Sequence, residues 1–198
     1  LAEEIVPVAV GRGKRARTIE ADEHPRPETT LEILAGLPTA FDESGFVTAG
    51  NASGIVDGAA MLLLTTAAQA QAWGRQPLGR LKSWAVVGVE PSRMGIGPAP
   101  AIRQALDKAG MELADLDLLE INEAFAGQIL AVIRELDLDT AKLNVNGGAI
   151  ALGHPLGATG TRITLSLLRE LRRRGGGVGV ASACIGGGQG IALIVESV

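Results

Sequence analysis

Apolar positions recur at helical spacing in some stretches of the chain and crowd into β-type runs in others. Ile163, Leu167 and Leu171 lie four residues apart, which predicts a helix over 161–171 with one buried stripe. Ile102, Ala105, Leu106 and Ala109 do the same for 98–110, with Gly110 just past the end. A third helix is expected from the Asn122 segment to about Leu136. Residues 59–73 are apolar nearly all round at their start, so a buried helix is expected there. Runs at 5–10, 81–89, 116–121, 143–145, 178–184 and 191–196 read as strands, the last two joined through Gly186-Gly187-Gly188 as a hairpin. Residues 11–30 are charged and aperiodic and read as an exposed loop. A short helical turn follows at 30–34, stopped by Gly36 and Pro38. Strands alternating with helices, then a terminal hairpin, predict an α/β fold with a mixed, largely parallel sheet.

In such sheets ligands sit at the carboxyl ends of the strands. The stretch 144–160 belongs on that edge, and it holds five glycines and one of only two histidines, His154, before the helix at 161–171. A tight turn, an imidazole and a helix N-terminus with free N–H groups therefore meet in one place. Asn122 ends one strand and Cys184 another, so an amide, an imidazole and a thiol can share a rim. Cysteine acts as a nucleophile or proton carrier when a histidine or a helix N-terminus lowers the cost of its thiolate, and His154 is the one candidate partner. The N–H groups of the run beginning at Gly186 could serve as an oxyanion hole beside the thiol. Simpler readings stand beside these: a small buried thiol, a turn histidine bonded to backbone, and Asn122 as a helix N-cap. Ser53, in a second glycine-spaced turn at 50–58, is either a capping hydroxyl or one aimed at a ligand. His24 reads as a surface histidine, and Arg12, Lys14, Arg15, Arg17 and Arg26 as a solvated loop or a phosphate contact.

Composition narrows the classes. With 46% hydrophobic and 20% charged residues over 198 positions, the chain is long and apolar enough for a proper core, as in soluble globular proteins. A formal charge of −4 and no aromatic-interleaved basic patch argue against a nucleic-acid surface, and Arg172, Arg173 and Arg174 fit a helix C-terminus. One cysteine excludes an intrachain disulfide and suits a reducing compartment. One cysteine and two distant histidines supply no tetrahedral zinc set, and neither a Walker loop nor a dinucleotide fingerprint is present. No run approaches the ~18 apolar residues of a membrane span. The first residue is Leu1, and its surroundings read like the middle of a fold, so a fragment or processed product is expected.

Four motifs in register carry a resemblance: Asn51-Ala52-Ser53-Gly54, Asn122-Glu123-Ala124-Phe125, Gly153-His154-Pro155-Leu156-Gly157 and Cys184-Ile185-Gly186-Gly187-Gly188. In this order and spacing the chain is similar to the carboxyl-terminal half of the thiolases, near the acetyl-CoA acetyltransferases. The resemblance implies an αβαβα layered fold of which this chain supplies mainly the second half. It divides the chain into 1–55 (end of the first half and of its CoA-binding loop region), 56–76 (a buried helix closing the first half) and 77–198 (carboxyl-terminal domain). It implies reversible Claisen condensation of acetyl-CoA, or thiolysis of a 3-ketoacyl-CoA. Carried over by motif, His154 would activate the nucleophile and Asn122 would hold a water in its oxyanion hole. Cys184 would move the proton on the α-carbon, with the Gly186 N–H in a second oxyanion hole. Ser53 and Gly54 would meet pantetheine, Met94 and Phe125 would line the acyl or pantetheine channel, and Arg26 would lie near the nucleotide.

Coenzyme A enters as substrate, with no tightly bound cofactor and no metal. The expected partners are acyl-CoA and CoA, with no nucleic acid and no membrane span. A homodimer or homotetramer is expected, or a chain carrying the first half, in the cytoplasm, with an organelle matrix left open. One departure stands out, because the family's acylated cysteine lies in the first half and this chain has none there. The chain alone is expected to be inactive. A non-catalytic split subunit that binds CoA or a partner is the alternative, and a hydrolase with Cys184 as nucleophile a third reading.

Overall fold

The computed structural model describes residues 3–198; Leu1 and Ala2 lie outside it. The chain begins with a small antiparallel hairpin, β1 (Val8–Val10) and β2 (Arg17–Ile19), in which Val8 pairs with Ile19. The expected strand at 5–10 is thus shorter, and the expected loop at 11–30 holds its partner. Helix α1 (Leu31–Ala35) is capped by the Thr30 hydroxyl, which accepts the Ile33 N–H, and its C-cap is Gly36.

The helix expected over 59–73 forms only as α2 (Ala67–Ala72), capped by Thr66. Residues 54–66 have neither helix nor strand, and Met61 is 87% exposed, with Leu63 and Leu64 nearly as open. The expectation of a buried helix at 56–76 is therefore corrected. Helices in proteins are held chiefly by tertiary packing, and among the described residues Met61, Leu63 and Leu64 are left uncovered.

From β3 (Gly79–Gly88) onward the pattern reading holds apart from the segment at 143–145 and the start of the helix after Asn122. A kinked 3-10 segment at Pro91–Ile96 leads into α3 (Pro98–Ala109). This helix opens on proline, whose missing N–H costs nothing in the first turn. It ends where Gly110 turns left-handed (φ 65°) and Met111 N–H bonds back to the Leu106 carbonyl. Then come β4 (Leu118–Ile121), α4 (Ala126–Leu136), a short α5 (Ala149–Leu152), α6 (Thr159–Arg173), β5 (Gly177–Ile185) and β6 (Gln189–Ser197). The strand expected at 143–145 is a single bridge between Leu143 and Leu119.

The sheet order is β3-β6-β5-β4. Strands β3, β5 and β4 run the same way and β6 lies reversed between β3 and β5, so the sheet is mixed with one antiparallel member. On one face α3 and α4 bury Ile102, Leu106, Ile129 and Val132 against Ala85, Leu119, Val180 and Ile194. On the other, α6 buries Ile163, Leu167, Leu168 and Leu171 against Leu118, Ala181 and Val195. Each fully buried aliphatic side chain contributes about 1.5–3 kcal/mol, which places the stability of the unit in these two clusters. Both faces are covered at β4 and β5, so most of their residues are buried whichever way they point, Glu120 and Ser182 among them.

Candidate active site

Asn122 follows β4 directly. Its N–H donates to the Ser182 carbonyl (2.9 Å), continuing the parallel ladder for one more residue. Helix α4 starts only at Ala126, and its N-cap is Phe125 with no side-chain cap bond, so Asn122 is not the capping residue that simple helix rules suggest. The side chain is 2% exposed, and neither its amide nitrogen nor its oxygen has a hydrogen-bond partner. Buried amides are almost always paired, and leaving one unpaired costs about 1–3 kcal/mol, the signature of a group kept for a ligand or an ordered water.

His154 follows Gly153, whose φ of 92° is a conformation that side-chain-bearing residues resist. The His154 N–H donates to the Gly54 carbonyl (2.8 Å), and its Nδ1 lies 2.6 Å from the Thr159 Oγ1 at the start of α6. The ring is half-buried. Burial, and after it the Arg162 charge, lower its pKa, so the neutral, proton-accepting form is favoured near pH 7.

Cys184 is buried one residue before the end of β5, paired across the hairpin with Gly190. Burial raises its pKa, with a backbone hydrogen bond partly opposing, so the thiol keeps its proton at neutral pH. Gly186 lies just beyond in the β5–β6 turn, exposed and with open space on its side-chain side.

The loops of Asn122 and His154 are tied together by bonds that spacing does not reveal; none of these bonds reaches Cys184 or Gly186. Glu123 receives the Asn144 Nδ2–H (2.8 Å) on one carboxylate oxygen and the Ile150 N–H (3.2 Å) on the other, clamping the Asn122 loop to the His154 loop. Asn144, at φ 46°, also exchanges two bonds with the Ile121 backbone, both 2.9 Å. Next to it, Gly147 N–H donates to the Asn144 carbonyl (2.8 Å), and Asn146 donates to Glu170 (3.0 Å). The third loop joins by a bridge between Ala52 and Phe125, by Ser53 N–H to the Ala124 carbonyl (3.0 Å), and by the Gly54 carbonyl under His154.

Gln128 adds the segment holding Met94, since its amide spans from the Ala124 N–H to the Gly95 carbonyl, 3.1 Å each. Met94 and Ser53 are both half-buried. Ser53 caps no helix, because the helix expected after it is absent. The Phe125 ring meets Phe41 edge to face at 6.3 Å.

His24 is corrected from a surface histidine: it is half-buried, with its ring against Gly54. Arg26 is exposed and turned onto its own backbone, donating to the Glu23 and His24 carbonyls, so it reaches the junction only through its neighbour. Glu123, Asn144, Gln128 and Thr159 carry no local motif of their own. Their partners are mostly far along the chain, and for Glu123 the one available signal was its place inside the Asn122 motif. Among the described residues no cluster of three or more His, Cys, Asp or Glu side chains is placed to hold a metal ion.

Comparison with known proteins bears on the family of the chain. Profiles described as thiolase, N-terminal domain, and thiolase, C-terminal domain, match residues 1–68 and 75–197. The chain is 56% identical over 195 residues to the mitochondrial 3-ketoacyl-CoA thiolase of Homo sapiens, covering 98% of this chain and 49% of that protein. It is 54% identical over 193 residues to the acetyl-CoA acetyltransferase of Escherichia coli (strain K12), again 98% and 49%. The crystal structure of the Bacillus anthracis acetyl-CoA acetyltransferase superposes with a TM-score of 0.96 at 54% identity, over 99% of this chain and 50% of that one. A structure of the human mitochondrial enzyme in complex with CoA superposes at 0.85, over 92% and 46%. The chain thus spans about half the length of the relatives it matches. Matched along nearly its whole length by profiles of one family and by relatives more than half identical, the chain belongs to the thiolase family.

Proposed function

We propose that this chain supplies the second half of an acyl-CoA acyltransferase that cleaves a 3-ketoacyl-CoA with CoA, or in reverse joins two acetyl-CoA molecules. The observation that carries the reading is the unpartnered, buried amide of Asn122, on a loop tied to both the His154 turn and the turn of Ser53 and Gly54.

Removing a proton next to a thioester creates an enolate, so such a site needs a base at the carbon and hydrogen-bond donors at the oxygen. His154 deprotonates the acyl-accepting cysteine and donates to the thioester oxygen, with Asn122 holding a water in the same hole. Cys184 exchanges the α-carbon proton beside the Gly186 N–H. A thiol that burial keeps protonated suits the proton donor of the cleavage direction, whereas condensation requires Cys184 to give up that proton first. Ser53, Gly54, Met94 and Phe125 take the pantetheine arm and Arg26 the nucleotide end.

In this reading residues 1–55 finish the first half, 56–76 connect, and 77–198 form the second half. The nucleophilic cysteine comes from residues outside this sequence, and the assembled enzyme is a homodimer or homotetramer. The test is thiolysis of acetoacetyl-CoA by the chain alone and by the chain co-expressed with an amino-terminal thiolase half. Turnover is expected only in the second case, and His154→Ala should lower it by roughly 10²–10⁴-fold. Turnover by the chain alone would overturn the placement of the nucleophile, and none in the co-expressed pair would overturn the activity. The single cysteine also favours a second reading, a split subunit that binds CoA without turnover; heat released on titrating CoA into an inactive pair would mark it.

A further inference from the structure

We propose that Thr159 is a positioning residue that fixes the tautomer of His154, holding its proton on Nδ1 and leaving Nε2 as the basic nitrogen. The Thr159 Oγ1 makes two short contacts, to His154 Nδ1 at 2.6 Å and to the Pro155 carbonyl at 3.0 Å. Thr159 is 1% exposed, so water does not compete for either. A hydroxyl has one proton to give. If that proton goes to Pro155, the oxygen is free to accept from Nδ1–H and both contacts are hydrogen bonds. If it goes to Nδ1 instead, the Pro155 contact holds no proton and one bond is lost. The far end of the relay is a carbonyl, which can only accept, and that sets the direction of the whole chain. The carbonyl is itself pinned by the N–H groups of Ala158 (2.8 Å) and Thr159 (2.9 Å) in the turn that opens α6.

The second ring nitrogen of a histidine is set by the bond its first one makes. With Nδ1 committed to Thr159, the proton-accepting capacity of the ring lies entirely at Nε2, and the ring plane is held by the same bond. The inference rests on the reading of His154 as a base only for its catalytic consequence; the tautomer itself belongs to this chain.

Its test uses the fact that the chain has only two histidines. Long-range proton–nitrogen NMR of the histidine-labelled chain, with both rings neutral and His24→Gln used for assignment, reads each tautomer directly. The expected spectrum has a protonated Nδ1 and a bare Nε2 at His154. Thr159→Ser should keep that pattern, and Thr159→Val, of the same shape without the hydroxyl, should move the proton toward Nε2. A wild-type ring protonated at Nε2, or a folded Val variant still protonated at Nδ1, overturns the proposal.

In the co-expressed pair, Thr159→Val should lower kcat by roughly 10²–10⁴-fold, the size of a general-base contribution, with KM little changed and Ser near wild type. An inactive pair whose His154 is protonated at Nδ1 would overturn the proposed activity and leave the tautomer assignment confirmed.

Discussion

At the scale of single residues, Asn122 sets stability against use. An unpaired buried amide costs the fold about 1–3 kcal/mol, whereas an apolar side chain of the same shape pays no such penalty. Asn122→Leu should therefore raise the unfolding free energy of this chain by about that amount in urea denaturation while abolishing turnover in the assembled enzyme. A variant less stable than wild type would mean that the amide has a partner in solution. Asn122, His154 and Cys184 were legible from sequence because each sits at the end of an element in a motif with unusual composition. Thr159 and Gln128 were not, since a threonine in the first turn of a helix and a glutamine near the start of another look ordinary. Their worth lies in which atoms they face, and only the folded backbone supplies that.

Elements bring charge into play. Glu120 lies in the middle of β4, buried against the α6 side of the sheet, where burial pushes its carboxyl up to about 8; Arg162 opposes this, and Glu4 and Glu123 add to it. An unfolded glutamate titrates near 4.5, so between 4.5 and 8 the native state holds a proton that the unfolded state has released. Stability contributed at this site is complete below 4.5, falls as pH rises through that window, and is fully lost above about 8. At ~1.4 kcal/mol per pH unit the change is on the order of 5 kcal/mol. His154 acts in the opposite sense just below its ordinary 6.5, where its lowered pKa makes stability rise with pH. Comparing wild type with Glu120→Gln by denaturant unfolding across pH 5–9 separates the two. The wild type should lose stability relative to the variant as pH rises, and parallel curves would show that Glu120 titrates normally.

The same scale explains where pattern reading held and where it failed. Helix α3 was readable because its buried stripe, its opening proline and its closing glycine agree. The run at 59–64 was misread because an all-apolar sequence has no period to choose between helix and strand.

For the whole molecule the exposed apolar surface is the main physical fact. Phe41, Phe46, Ile55, Met61, Leu63, Leu64, Trp84 and Val86 are all open, far more than scattered surface residues require. The purified chain should bind a hydrophobic dye strongly and self-associate with rising concentration, and co-expression with an amino-terminal half should suppress both. Dye binding unchanged by the partner would mean that this surface is not where the halves meet. The α/β fold was legible as a class because strands and helices alternate along the chain. What covers the exposed face was not, since none of the described residues packs on it.

The loop that carries His154 also contains a chemical clock. Asn146 precedes Gly147, the pairing in which a backbone nitrogen most readily attacks the side-chain amide to form a succinimide, releasing ammonia and then opening with water to isoaspartate or aspartate. Both reactants are occupied in the fold, the amide by Glu170 and the nitrogen's proton by the Asn144 carbonyl. Deamidation at this step is thereby reserved for molecules whose loop has opened, so an old sample carries in that one peptide a record of how often this loop has come apart.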